Sequence, residues 1–423
     1  MEGFYRLVNN PKVNALDIIE PHIAMSVERA TQVSSIYAIH DSTEMEYKGD
    51  VPRRGLGPLR GQGQGYLSHL ALGVEIGGAE RPIGVLGLRN WARTGEPTSR
   101  TETGRKKTGA DYAKDAEKES DRWGEVVGEV SARLRGRVEV VHVMDREGDA
   151  YPLLAQMVEN SDRFIVRAAK DRNVGAEIVF GVGDKLSDAL EGASVIGERE
   201  ISISARKAIP APRGNKSKPS RERREAELEI RAMVVVLKRP RYASPALPEW
   251  LALNIVHVVE KNGPEDQDPV EWKLYTTEAI DTKEKVLHVV DGYCCRWIIE
   301  EYFQALKTGC QVEERQHESY EALSNMAAIF MPIAWQLLLL RNLARKGPDL
   351  PATAAITEQQ VEVLCACAPV EVPEHPTVKQ ALLAIAALGG HIKSNGEPGW
   401  RVLGRGFERL LTLELGWAAR ACK

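Results

Sequence analysis

The stretch YCCRWIIEEYFQALKTG, residues 293–309, places apolar residues every three or four positions and therefore predicts an α-helix. Four polar residues interrupt it: Tyr293, Arg296, Glu300 and Lys307. At about 100° per residue, all four fall in one stripe about 60° wide, away from the apolar face. Two interpretations are open. The stripe is either a solvated face with i,i+4 ion pairs, or a carboxylate set among groups that bind phosphate.

Composition limits the class of protein. The chain has 423 residues, 43% of them hydrophobic and 27% charged, which is typical of a soluble globular protein of two or three domains. Its six cysteines show no zinc-binding spacing, and the polar first ten residues do not resemble a signal peptide. Reduced cysteines in the cytoplasm are therefore expected. The apolar run Met326–Leu340 is short for a bilayer span and predicts a buried helix.

The charge is uneven along the chain. The net charge of −4 argues neither for nor against a nucleic-acid partner. Between Arg206 and Arg241, however, twelve Lys or Arg residues stand against four Glu residues, so this segment is locally basic. The sequence APRGNKSKPSRERR within it predicts a flexible basic loop.

Two predicted strands each end in an aspartate: SSIYAIHD at Asp41 and VEVVHVMD at Asp145. If these strands are parallel neighbours, both carboxylates emerge at the same edge of the sheet. Glu300 could then complete a cluster of three carboxylates, the ligands that hard divalent cations prefer. The alternative for each aspartate alone is an ordinary turn or cap residue.

The order of predicted elements indicates several segments. Three strands, a helix over Gly109–Arg135, a strand, a short helix and another strand suggest a mixed sheet covered by helices. A run of short strands with Pro-, Gly- and Lys-rich turns follows, and two amphipathic helices near the end suit a dimerisation tail. The predicted domains are a connecting segment (1–32), the catalytic core in two parts (33–170 and 271–345), a β-rich insertion (171–270) and a helical C-terminal dimerisation domain (346–423). The stretch 345–376 is predicted to be linker-like.

The spacing Tyr293-x2-Arg296-x3-Glu300-x6-Lys307 resembles the signature of the DDE transposases of the IS4 family, most closely the Tn5-like group. The two other acids of that family stand in contexts like HDSTEM, at Asp41, and DREGD, at Asp145. The similarity continues through DRFIVRAAKDR, EWKLYTTEAI and the tail LGGHIKSNGEPGWRVLGRGFERL, and so covers almost the whole chain.

The resemblance implies a ribonuclease-H-like α/β fold: a mixed sheet with helices on both faces, a β-rich insertion and an α-helical C-terminal tail. It implies that Asp41, Asp145 and Glu300 are catalytic ligands of two Mg²⁺ ions, for which Mn²⁺ could substitute. Such a pair of ions stabilises the attacking and the leaving oxygen of a phosphoryl transfer. The implied activity is cut-and-paste transposition, in which a strand is nicked, a freed 3′-OH attacks DNA, and strand transfer follows.

The resemblance also implies DNA contacts and partners. The phosphate-binding residues would be Tyr293, Arg296 and Lys307, and Trp272 and Trp297 match positions that surround a flipped base. Core packing is the alternative for both tryptophans. Arg167 and Lys170 are expected along the DNA. The expected partners are double-stranded DNA, at transposon ends and target, and a second copy of the chain in a synaptic homodimer, in the bacterial cytoplasm and without a membrane.

Only about forty residues precede Asp41 in this sequence, which predicts that the helical end-binding domain of such transposases is missing. This leaves an alternative function open, in which the chain is a truncated, non-catalytic inhibitor of a full-length transposase that acts through mixed dimers. A domesticated nuclease that has lost its end specificity is a third interpretation.

Overall fold

The computed structural model describes residues 2–49, 51–60, 63–95, 119–175, 185–203, 205, 220, 222–264, 269–392, 394 and 396–421. They form two compact units. The first unit draws on residues within 1–97, 132–139 and 297–423, and the second on residues within 98–131 and 140–296.

Ten β-strands and eleven α-helices lie within these ranges. The strands are β1 (Ser35–Tyr47), β2 (Gly57–Pro58), β3 (Gln64–Glu75), β4 (Pro82–Trp91), β5 (Glu139–Met144), β6 (Arg163–Arg167), β7 (Val195–Ile203), β8 (Arg224–Lys238), β9 (Trp250–Glu260) and β10 (Glu271–Thr276). The helices are α1 (Glu2–Val8), α2 (Ala15–Ala30), α3 (Glu119–Leu134), α4 (Tyr151–Glu159), α5 (Leu186–Glu191), α6 (Lys283–Cys294), α7 (Trp297–Gln304), α8 (Tyr320–Lys346), α9 (Glu358–Cys367), α10 (Val378–Leu388) and α11 (Trp400–Ala421).

The first unit is built on antiparallel strands. Strand β3 pairs with β1 on one side, from Ile36↔Glu75 to Tyr47↔Gln64, and with β4 on the other. Its sequence QGYLSHLALGVE is buried almost throughout, because α2 and α8 cover this part of the sheet. Trp335 of α8 fixes this packing, since its indole N–H donates to the carbonyl of Pro82 at 3.0 Å.

The second unit mixes both kinds of pairing. Strands β5 and β6 are parallel, whereas β6–β10, β10–β9, β9–β8 and β8–β7 are antiparallel. Helices α3 and α4 contribute Trp123 and Leu154 to a buried apolar cluster that includes Phe164 of β6 and Ile255 of β9. The β-branched and aromatic residues of these strands fit a surface that is packed on its helical side.

The C-terminal region is helical. Helices α9 and α10 each begin with a complete capping box, Thr357 with Gln360 and Thr377 with Gln380. Helix α11 approaches the backbone before α8 very closely, because a Cβ on Gly404 would lie 2.0 Å from the carbonyl oxygen of Gly309. Helix α8 is the one described helix that is long and apolar enough to cross a membrane, yet 67% of its most apolar window is buried inside the protein.

The predicted fold class is confirmed. The chain has a mixed sheet with helices, a β-rich stretch formed by β7, β8 and β9, and a helical C-terminal region, which is consistent with the predicted ribonuclease-H-like α/β fold. The predicted helices over Ser319–Arg345 and at the C-terminus are also present. Helix α3 occupies the described part of the predicted helix Gly109–Arg135. The predicted loop over Thr94–Lys107, from residue 96 onward, and most of the predicted basic loop lie outside the described residues.

Three predictions are wrong. Strand β1 does not end at Asp41 but continues to Tyr47, because Met45 and Tyr47 are buried against β3 while Glu46 between them is exposed. The predicted linker 345–376 contains α9, whose short apolar pattern is supported by its capping box. The predicted continuous helix over Lys283–Gly309 is broken, with consequences for the site that are described next.

Candidate active site

The stripe of four polar residues was projected from one continuous helix, and that helix is interrupted twice. Helix α6 ends at Cys294, and the N–H of Arg296 donates to the carbonyl of Tyr293 at 3.1 Å, a tighter turn than the α-helix allows. Helix α7 then ends at Gln304, and residues Ala305–Gly309 form a π-turn in which Cys310 donates to the carbonyl of Ala305 at 2.9 Å. At both places the backbone departs from the rotation of 100° per residue that the projection onto one stripe assumed.

Asp41 lies in the middle of β1, opposite Leu70 of β3. Its Oδ1 atom accepts a hydrogen bond from the N–H of Ser42 at 2.8 Å. The side chain is partly exposed. A carboxylate held by the backbone of a long, paired strand has little freedom to move, which suits a group that must keep a fixed position.

A buried polar chain runs beside Asp41. The Ser42 hydroxyl lies 3.0 Å from Nδ1 of His69, and Nε2 of His69 lies 3.4 Å from Nδ1 of His40. Both imidazoles are fully buried, and their rings are stacked with centroids 5.6 Å apart. Burial lowers the pKa of His69 to about 3, so this imidazole is neutral at physiological pH. These contacts join β1 to β3, and the His69 imidazole takes part in them without a positive charge.

Lys307 connects the π-turn to β1. Its ammonium group donates to the carbonyl oxygen of Glu44 and pairs with the carboxylate of Glu313 at 3.0 Å. Glu313 in turn accepts the N–H of Glu46 at 3.0 Å. Helix α7, which carries Glu300, also packs against β1. The last two residues of the signature therefore lie on elements that contact the strand of Asp41.

Asp145 follows β5 directly, so the predicted end of that strand is confirmed. It caps a short 3₁₀ turn, Arg146–Gly148, and its Oδ1 atom accepts the N–H of Glu147 at 2.8 Å. His142, within β5, is buried and lies 3.0 Å from the hydroxyl of Ser131. Burial lowers the pKa of His142 to about 4, which makes it a neutral core residue rather than a cation beside Asp145.

A buried ion pair fixes the backbone next to Asp145. Asp149 accepts the N–H groups of Ala169 at 2.7 Å and Lys170 at 3.1 Å, and the Nε atom of Arg172 at 3.0 Å. The side chains of Asp149 and Arg172 are only 0% and 4% exposed. Burial lowers the pKa of Arg172, but the Asp149 carboxylate outweighs it, so the pKa lies above the ordinary arginine value. This pair joins the DREGD turn to the loop after β6.

Tyr293 and its neighbours form an aromatic and cationic group in the second unit. The ring of Trp272 meets that of Tyr293 edge-to-face at 5.2 Å, and a guanidinium N–H of Arg167 donates to the Tyr293 hydroxyl at 3.5 Å. Arg167 also donates to the carbonyl of Glu271 at 2.9 Å. Arg296 is largely buried, whereas Trp297 is 56% exposed at the start of α7. Tyr293, Trp272 and Arg167 thus lie together in this unit.

The three predicted acids are divided between the two units, Asp41 and Glu300 in the first and Asp145 in the second. Throughout the described ranges, no three His, Cys, Asp or Glu side chains form a group that could hold a metal ion. Carboxylates are ligands that suit a hard cation, but the described residues contain no assembled set of them. The metal-binding roles of Asp41, Asp145 and Glu300 therefore stay a prediction.

A family model described as the transposase DDE domain matches residues 116–332, just over half of the chain. The chain belongs to this transposase family. The matched range includes Asp145, Tyr293, Arg296, Glu300 and Lys307. Asp41 lies before it, so its assignment rests on the resemblance of its sequence context and on its place in β1.

One solved structure with a similar chain is a cryo-EM structure of a piggyBac transposase synaptic complex with hairpin DNA. The two chains are 12% identical with a TM-score of 0.31, and the match covers 76% of this chain and 51% of that one. This chain thus spans about half the length of that transposase.

The sequence did not reveal two features of the site. Asp149 and Arg172 stand in the quoted motifs DREGD and DRFIVRAAKDR, but nothing in either motif indicates that they pair. The link between His69 and Ser42 depends on the register of β3 against β1. A signal existed only for Asp149, as a second aspartate four residues after Asp145.

Proposed function

We propose that this chain is a DNA transposase that nicks a DNA strand, uses the freed 3′-OH to attack DNA, and transfers the strand to a target. Membership of the transposase DDE domain family supports the reaction class. The cut-and-paste course and the specific kinship with the Tn5-like group rest on the resemblance of the signature.

One observation carries the proposal: the ammonium group of Lys307 is bonded to the strand that holds Asp41. The carbonyl that it contacts belongs to Glu44, three residues beyond Asp41, a step of about 10 Å along a strand. Helix α7, which carries Glu300, packs on the same strand, and this favours a location of Glu300 near β1.

The remaining residues of the signature suit the binding of phosphate. Tyr293, Arg296 and Lys307 supply hydrogen bonds and positive charge, and Arg167 adds a guanidinium group at the hydroxyl of Tyr293. Trp272 and Trp297 are proposed to stack on an unpaired base. Trp297 is the better placed of the two tryptophans, because it is exposed whereas Trp272 is buried.

The proposed metal ligands are Asp41, Asp145 and Glu300, and the proposed cofactor is a pair of Mg²⁺ ions or, in their place, Mn²⁺. Such ions supply an activated water and neutralise the charge that develops on the transferring phosphate. The proposed partners are double-stranded DNA and a second copy of the chain, in the bacterial cytoplasm where DNA is present.

The test is a cleavage and joining assay on the terminal sequences of the element, with Mg²⁺ or Mn²⁺. Asp145→Asn and Glu300→Gln are expected to abolish cutting. Glu301→Gln is the matched control, because Glu301 is the next residue of α7 and pairs with Arg345 on the surface. The proposal fails if the Glu300→Gln and Asp145→Asn variants cut DNA as fast as the control.

The same assay separates the alternative function. A longer form of the protein, extended upstream in the same reading frame, is compared with the chain alone. If only the longer form cuts and the chain suppresses it in a mixture, the chain acts as an inhibitor through mixed dimers. If the chain cuts alone and both acid variants are inactive, it is an enzyme in its own right.

A further inference from the structure

The loop between β8 and β9, residues 239–249, carries exposed aromatic and cationic side chains. Tyr242 within the loop is 37% exposed, and Trp250 at its end is 44% exposed. Lys170 lies beside Tyr242, and Lys238 lies over the ring of Trp250 at 5.1 Å from the ring centre. Each exposed ring is therefore paired with an ammonium group.

This loop is fixed in place. The hydroxyl of Tyr151 donates to the carbonyl of Pro248 at 2.8 Å, which ties the loop to the start of α4. The guanidinium group of Arg239 donates to the carbonyls of Pro245 at 2.8 Å and Leu247, which holds the loop closed. A surface held in this way keeps its side chains in position before a ligand arrives.

The loop is also connected to the turn that carries Asp145. Asp149, four residues after Asp145, accepts the backbone N–H of Lys170 at 3.1 Å. The side chain of Lys170 then reaches the hydroxyl of Tyr242 at 3.4 Å. The path from the Asp145 turn to the loop runs through one buried carboxylate and one lysine, all within the second unit.

The position of Lys170 matters for the ring of Tyr242. The ammonium group is 3.4 Å from the hydroxyl oxygen but 5.9 Å from the ring centre. It therefore lies at the edge of the ring and does not cover a face. An aromatic face beside a cation is the arrangement with which proteins bind single-stranded nucleic acid, because the base stacks on the ring and the phosphate meets the cation.

We propose that this loop surface, formed by Tyr242, Lys170, Lys238 and Trp250, binds a DNA strand with unpaired bases next to the cleavage site. One base stacks on Tyr242, and the two lysines bind the flanking phosphates. Unpaired bases are required because the bases of a duplex already stack on each other and leave no face for the ring. This inference rests on the proposed function in one respect, namely that the ligand is DNA.

The test measures binding of the full chain to a fluorescent duplex with an unpaired overhang and to the same duplex with blunt ends. Tyr242→Leu removes the aromatic face but keeps an apolar side chain, and is expected to weaken binding to the overhang about 5- to 150-fold. Binding to the blunt duplex is expected to change little. Tyr242→Phe retains the ring and is expected to bind the overhang like the parent chain.

Tyr5→Ala serves as the matched control, because Tyr5 is a 60% exposed tyrosine in the other unit. It is expected to leave both affinities unchanged. Thermal unfolding of each variant shows whether its fold is intact. If Tyr242→Leu does not fold, Tyr242→Phe still tests the inference, which is contradicted if this variant, with its ring retained, loses affinity for the overhang. If a folded Tyr242→Leu variant binds the overhang as tightly as Tyr242→Phe does, the inference is overturned.

The two proposals fail separately. A parent chain that cuts DNA while the folded Tyr242→Leu variant keeps full affinity for the overhang contradicts the loop surface alone. A parent chain that binds the overhang through Tyr242 but never cuts, with either metal ion, contradicts the proposed activity alone. A single-stranded RNA of the same sequence, included as a third probe, overturns the assignment to DNA if it binds more tightly.

Discussion

Replacing Asp149 by alanine should destabilise the second unit strongly. The carboxylate is fully buried and is bonded to Arg172 and to the N–H groups of Ala169 and Lys170. Its removal leaves a buried guanidinium group without a counter-charge, which costs about 3–5 kcal/mol in comparable buried pairs. Because two backbone N–H donors also lose their acceptor, the free energy of unfolding should fall by an amount in the upper part of that range.

The assay is hydrogen exchange followed by mass spectrometry, which reports on each unit separately. Peptides that cover β6 and the loop to Arg172 should lose protection in Asp149→Ala, whereas peptides from β3 and β4 should not. Asp281→Ala is the matched control, because its partner Lys285 and its own carboxylate are exposed, and it should change protection little.

A second variant separates the ion pair from general damage to packing. The double variant Asp149→Leu with Arg172→Met replaces both charges by apolar groups and should recover much of the lost stability. The reasoning is refuted if Asp149→Ala resembles the Asp281→Ala control, or if the double variant is less protected than Asp149→Ala.

The remaining predictions concern the first unit. Burial, with a smaller effect of Arg29, lowers the pKa of His22 to about 4, so the unfolded chain binds more protons than the folded one between pH 6.5 and 4. Acidification from pH 7 to 5 should therefore cost about 2 kcal/mol through this residue, and His22→Gln should remove that part of the pH dependence in denaturant titrations. Gly404→Ala should lower the melting temperature, since its Cβ would overlap a carbonyl and overpacking costs about 1–3 kcal/mol. Gly416→Ala on the same helix meets nothing within 4 Å and should be neutral or stabilising. Lys307→Met should remove about one phosphate contact, so the slope of the logarithm of the DNA-binding constant against the logarithm of salt concentration should become shallower by about one. An unchanged slope would count against the proposed role of Lys307.

The sequence predicted the parts of the fold that depend on neighbouring residues. Strands β5 and β9 are runs of β-branched residues between turns, and α8 is a long apolar run, so each is recognisable without its surroundings. The extension of β1 past Asp41 was missed because its polar residues need the partner strand β3 to stay in place. Helix α9 was missed because the Ala- and Pro-rich segment around it concealed a ten-residue pattern.

The site was predictable in its residues but not in its geometry. The spacing from Tyr293 to Lys307 matches the family signature, yet the helix that would have aligned these residues is interrupted twice. The contacts that position the signature are made across the fold, such as Lys307 with Glu44 and Arg167 with Tyr293. Such pairs are separated by more than a hundred residues and cannot be inferred from periodicity.

The π-turn over Ala305–Gly309 has a consequence for how this segment can evolve. A π-turn holds one residue more than an α-helical turn, so it is what remains when a helix gains a residue while both flanks keep their packing. Deletion of Thr308 would restore regular winding and leave both flanks in place, whereas deletion of a residue within α7 would rotate Gly309 by about 100° relative to that helix, away from its close approach to Gly404. The π-turn can therefore lose one residue more readily than α7 can.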